Sequence, residues 1–267
     1  MSLGKVVLAN RQNTRKRAKM VKRSYHFHIG AHEIYQTLVS DAFSALADEM
    51  SNAKVGIVDP IIFRSEIRPL LQGKPQSATR HISELKIDRS LERIVLSAHG
   101  VVCGKKEIFS DNGLYARNEP FLSGIASLFE GEDVTLHLAI VPQHDFRPVA
   151  DSISSATQDI SWIPFIDEIQ EKNPNAKLVV WPIEKSVEES VEFLEGVCGL
   201  SIPRSKRQGI RQMARSQRVQ APEVVRESTD IVSTYMDYMF HQDMEILAWS
   251  SEAAIGIKRI RDEFSIS

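Results

Sequence analysis

At 267 residues, with 42% hydrophobic and 25% charged content, the chain has the makeup of a folded protein and enough length to bury a large core. Fibrous and globally disordered classes are excluded, and a formal net charge of −2 argues against a surface that binds nucleic acid as a whole. Cys103 and Cys198, the two cysteines, lie far apart without a C-x-x-C partner, so neither a disulfide framework nor a thiolate metal site is expected. No apolar run approaches the ~18 residues of a membrane span. With no signal-peptide pattern at its start, the chain is expected to be soluble and cytoplasmic.

Residues 1–24 hold Lys5, Arg11, Arg15, Lys16, Arg17, Lys19, Lys22 and Arg23, and no acid precedes Glu33. The composition predicts a flexible, solvated basic arm, with nucleic acid, anionic lipid or organelle import as the functional alternatives. Next, Tyr25 to Ile29 reads as a buried strand that passes through a small-residue turn, Gly30-Ala31, into a helix over 38–50. Leu38, Val39, Ala42, Phe43, Leu46 and Ala47 give that helix one apolar face. Such a turn gathers backbone N–H groups and the positive end of a helix dipole at one point, a plan that suits phosphate.

A second strand is predicted over 54–58 and stops at Asp59-Pro60; a helix over 61–71 is expected to end near Pro69, before a loop at 72–80. A third strand, Arg93 to Ser97, leads to Ala98-His99-Gly100, and Asp111-Asn112-Gly113 reads as a turn. Glu119 to Glu130 reads as a helix closed by Gly131. The near-continuous apolar run Val134 to Val141 fits a central strand of a parallel sheet covered on both faces. A helix to about Lys172, a strand over 177–181 and a serine-capped helix from Ser186 through Val197 complete the pattern. From Pro203 the composition changes. Arg204, Lys206, Arg207, Arg211, Arg215 and Arg218 come without an acid until Glu223, a run read first as a solvated helix face. Residues 222–264 have a helical pattern whose mixed methionine and aromatic stripe suits core or a homodimer contact.

Phe27-His28-Ile29-Gly30-Ala31-His32, followed by Thr37, resembles the strand and loop of the bacterial sulfotransferase family of the P-loop superfamily, which reads H-I-G-x-H-K-T-G-T-T there. The resemblance covers about residues 25–200. It implies an α/β fold, a mostly parallel sheet flanked by helices, and a loop that cradles the 5′-phosphosulfate of 3′-phosphoadenosine 5′-phosphosulfate. Gly30, Ala31, His32, Gln36 and Thr37 are the donor-loop candidates on this ground. His99 stands where the family's L-S-S-E strand end has its glutamate, which makes it the candidate base toward a carbohydrate or small-molecule hydroxyl. Ser152 is a candidate for the 3′-phosphate, and Arg207 for the basic C-terminal segment that covers it.

Two departures set the functional expectation. Glu33 occupies the lysine position and Val141 the position of the 3′-phosphate arginine. A carboxylate about 4 Å from a like charge repels it by ~1 kcal/mol in water and by ~4 at an effective dielectric near 20. The expectation is therefore a pseudoenzyme with a degenerate donor site that acts by binding and requires no cofactor or metal; an active sulfotransferase or an adaptor for an anionic partner is the alternative. Nucleic acid is not expected, because aromatic residues do not interleave the basic segments. Domain organisation is read as an arm (1–24), a sulfotransferase-like α/β domain (25–203) and a basic, then helical, extension (204–267).

Overall fold

The computed structural model describes residues 23–30, 36–72, 81–85, 87–97, 102–103, 108–110, 113–115, 118–140, 161–182, 187–219 and 240–244. Five strands form one all-parallel sheet: β1 (Ser24–His28), β2 (Val55–Ile57), β3 (Arg93–Ser97), β6 (Asp133–Ile140) and β7 (Lys177–Pro182), in the order β2-β3-β1-β6-β7. A separate antiparallel pair joins β4 (Phe109–Ser110) to β5 (Gly113–Leu114). Parallel neighbours need long crossovers. The intervening helices supply them: α1 (Gln36–Ala45) and α2 (Ala47–Asn52) follow β1, α5 (Glu119–Leu128) precedes β6, and α6 (Ile163–Lys172) precedes β7. After β7 come α7 (Val187–Cys198) and α8 (Arg204–Val219).

The expected α/β class with a parallel sheet is what the chain forms, and β6 lies inside the sheet between β1 and β7. From Val134 to Ile140 every residue of β6 is buried, which explains its unbroken apolar character. On one face of β1, Phe27 meets the rings of Phe63, Phe121 and Phe129 at 6.0 to 6.4 Å. On the other, α7 lies over β1 and β3, and α8 packs against both α7 and α1. Ile210 and Ala214 of α8 are buried there, so the first helix of the C-terminal extension belongs to the same core as the sheet.

The segment after β2 departs from expectation. Instead of ending near Pro69, the helical path continues through α3 (Pro60–Ile62), a π-helical turn (Phe63–Ile67) and α4 (Arg68–Leu71). Proline in a regular helix clashes with the carbonyl four residues back. The wider π turn just upstream, closed by the Arg68 N–H on the Phe63 carbonyl, relieves that crowding and lets the chain carry on. It also sets α4 close to α5: a Cβ at Gly124 would lie 2.7 Å from the Leu71 Cα.

Residues 240–244 form a helical turn whose Phe240 and Met244 are buried in the core. Between them Asp243, also buried, seats the turn on the start of α6. Its carboxylate accepts from the Ser161 hydroxyl and the Trp162 N–H, both at 2.6 Å, while Ser161 Oγ accepts from the Ile163 N–H at 3.0 Å. A negative charge at a helix N-terminus is doubly favourable, since it satisfies orphan donors and opposes the dipole. Asp243→Ala removes an acceptor from the Ser161 hydroxyl and the Trp162 N–H and is expected to cost about 3 kcal/mol in urea unfolding, with Asp243→Asn costing less because its oxygen still accepts.

Candidate functional site

The chain leaves β1, crosses to the β2-β3 side of the sheet, and after β3 crosses to the β6-β7 side. β1 is therefore where the strand order reverses. In open α/β sheets ligands bind in the crevice outside the carboxyl ends of the strands at such a point. The residues there are His28 at the end of β1 with Ile29 and Gly30 after it, Ser97 at the end of β3, and Ile140 at the end of β6. The Ile29 N–H donates to the His137 carbonyl at 3.0 Å, which carries the β1–β6 ladder one residue past His28.

Gly30 is glycine for a spatial reason. A Cβ at this position would fall on Nε2 of the His28 imidazole, which folds back over the Gly30 backbone. That imidazole is fully buried; its Nδ1 lies 3.1 Å from Ser97 Oγ, and the Phe193 ring of α7 meets it edge-on at 4.8 Å.

A second polar row runs beneath, on the same sheet face. The Trp181 indole N–H donates to His137 Nδ1 at 3.1 Å, and His137 Nε2 lies 3.0 Å from His26 Nδ1. An indole nitrogen is a donor only, so His137 Nδ1 must be bare and Nε2 must carry its proton. His137 Nε2–H then donates to His26 Nδ1, which also faces Arg93 Nη1 at 3.3 Å, and His26 Nε2–H donates to Ser24 Oγ at 3.3 Å. Both rings are consequently neutral. Burial, followed by the nearby Arg93 charge, lowers His26 to about 4, and burial first, then the neighbouring histidines and Arg93, holds His137 well below the ordinary range.

Of the residues singled out from the sequence, Gly30 stands at the switch point, and Gln36 and Thr37 are the first two residues of α1. Ala31, His32, His99 and Ser152 lie outside the described residues. Arg207 is not brought to Gly30. Its Nη2 donates to Glu195 at 2.6 Å and its Nε to the Ile202 carbonyl at 3.0 Å. Lys206 beside it donates to Glu49 and to the carbonyl of Ala45, the last residue of α1, both at 2.7 Å. Arg207 thus sits at the far end of α1 from Gly30, a helix about 15 Å long. Arg207 is held there by Glu195, a carboxylate of α7.

Trp162 and Trp181 are both buried, and burial pushes the Cys198 thiol up to about 12, far from a reactive thiolate. Among the described residues no group of three or more His, Cys, Asp or Glu is placed to hold a metal ion, and no helix is long and apolar enough to cross a membrane. No family model matches the chain, and no curated protein matches it.

Ser97, the His26–His137–Trp181 row and Asp243 escaped the sequence reading. Histidines at alternate positions in an otherwise apolar strand, His26 and His28, and a third at His137, were the available signal. The row carries a pH signature. Above about pH 6.5 folded and unfolded chains both hold neutral imidazole; between there and about 4 the unfolded chain takes up a proton that folded His26 refuses. Stability is therefore expected to fall as pH drops through this window, by about 1.4 kcal/mol per pH unit and on the order of 3 kcal/mol for His26 alone. Urea unfolding between pH 7.5 and 4.5 measures the slope, which His26→Gln should reduce, leaving the part that His137 contributes.

Proposed function

We propose that this is a sulfotransferase-like protein of the P-loop kind that binds an anionic nucleotide in a degenerate donor site and does not transfer a sulfuryl group. The observation that carries the reading is the place of the Gly30 loop. Gly30 follows the central strand β1 where the sheet order reverses, and α1 begins at Gln36, so a phosphate bound there would meet the positive end of a helix dipole. The motif that resembles the sulfotransferase donor loop coincides with that location.

Chemistry of transfer needs more than a cradle. Negative charge builds on the bridging oxygen as the sulfuryl group departs, and a cation fixed beside it provides the largest share of such catalysis. Glu33 puts an anion at that position of the motif, and Val141 offers no donor where a guanidinium would hold the 3′-phosphate. Arg207, the candidate replacement, is committed to Glu195 and the Ile202 carbonyl. Binding is thereby weakened and transition-state stabilisation lost, which favours a role in binding over catalysis.

Calorimetric titration with 3′-phosphoadenosine 5′-phosphate tests this. The unaltered protein is expected to bind weakly, with Kd of roughly 0.1–1 mM, and to transfer no sulfuryl group from the activated donor. Glu33→Lys combined with Val141→Arg should tighten binding at least tenfold. Micromolar binding accompanied by transfer in the unaltered protein, or no gain in the double variant, would sink the proposal.

A further inference from the structure

We propose that Ser97 supplies the hydroxyl that contacts the anionic group of a ligand held at the carboxyl edge of the sheet beside Gly30, and that His28 is the residue that positions it. The inference rests on the nucleotide-binding reading above and adds the polar floor of that site. Ser97 is the register partner of His28 across β3 and β1, so both side chains stand on the same face at the carboxyl edge of the sheet. The distance from His28 Nδ1 to Ser97 Oγ is 3.1 Å. His28 cannot easily swing away. Phe193 meets its ring edge-on and the Gly30 backbone occupies the space beside Nε2.

On this face, His28, His137, Ala139 and Trp181 are all buried near the carboxyl ends of their strands, whereas Ser97 is partly exposed. Ser97 is thus where the buried polar surface reaches solvent, at the switch point. A serine hydroxyl has one proton to donate and two lone pairs. An oxyanion of phosphate or sulfate offers acceptors only, so it selects the arrangement in which His28 Nδ1–H donates to Ser97 Oγ and the Ser97 O–H turns to the ligand oxygen. An imidazole that has already oriented the hydroxyl removes part of the ordering cost of binding.

The test uses the full chain carrying Glu33→Lys and Val141→Arg, titrated with 3′-phosphoadenosine 5′-phosphate, alone and with Ser97→Ala or Ser97→Thr. A hydrogen bond to a charged group is worth enough that Ser97→Ala should weaken binding by at least about tenfold. Ser97→Thr, which restores the hydroxyl, should stay within about threefold of the parent; Ser97→Ala also takes an acceptor from the buried His28 ring, so its melting temperature is expected to fall, and all three are titrated well below it. Equal affinity of the alanine variant and its parent overturns this inference and leaves the nucleotide site standing. A threonine variant as weak as alanine also overturns it, since space and not the hydroxyl would then be what matters. A parent that shows no saturable binding at millimolar ligand overturns the nucleotide reading itself, and this inference with it.

Discussion

An indole nitrogen can donate a hydrogen bond and cannot accept one, and the interior of this sheet is arranged around that restriction. Trp181 on β7 fixes the tautomer of His137 on β6, His137 fixes that of His26 on β1, and His26 ends on Ser24. Three parallel strands are tied by a chain in which every proton has one permitted place. Buried polar groups satisfied this way specify a single register, because slipping one strand by a residue would turn its histidine to the opposite face. The apolar rings on the other face, Phe27 against Phe63, Phe121 and Phe129, carry bulk burial without that selectivity.

The layered plan was legible because it rests on local pattern. Alternation and apolar runs mark β1, β3, β6 and β7, and the fully buried β6 advertises its interior place in its composition. What pairs with what was not legible. His26 and His137 are 111 positions apart, and nothing in either neighbourhood says that β1 lies beside β6. The expectation that the helix over 61–71 ends near Pro69 rests on proline's usual penalty, which assumes an α-helical path; a π turn changes the premise.

Arg207 shows the same limit in electrostatics. Six basic residues in a row without an acid look like unspent positive charge in one dimension. Once α7 and α8 fold back on each other, Glu195, twelve positions earlier, lies against Arg207, and Glu49 from α2 lies against Lys206. Partly exposed pairs of this kind contribute little to stability. They nevertheless decide which cations are available to a ligand, and composition alone does not contain that information.

The sheet also ends in a way that bears on its behaviour among other copies. β2 forms one edge, with only three residues, Val55–Ile57, in the ladder. Lys54 and Glu92 place an ion pair at its beginning, and Asp59-Pro60 close it, so the open row of backbone groups is short and bounded by charge and a residue that cannot donate. Long, flat, apolar edges recruit further strands and seed aggregates. A parallel sheet assembles slowly from distant segments, and a clipped border of this kind makes the β2 edge a poor template for misassembly while it does so.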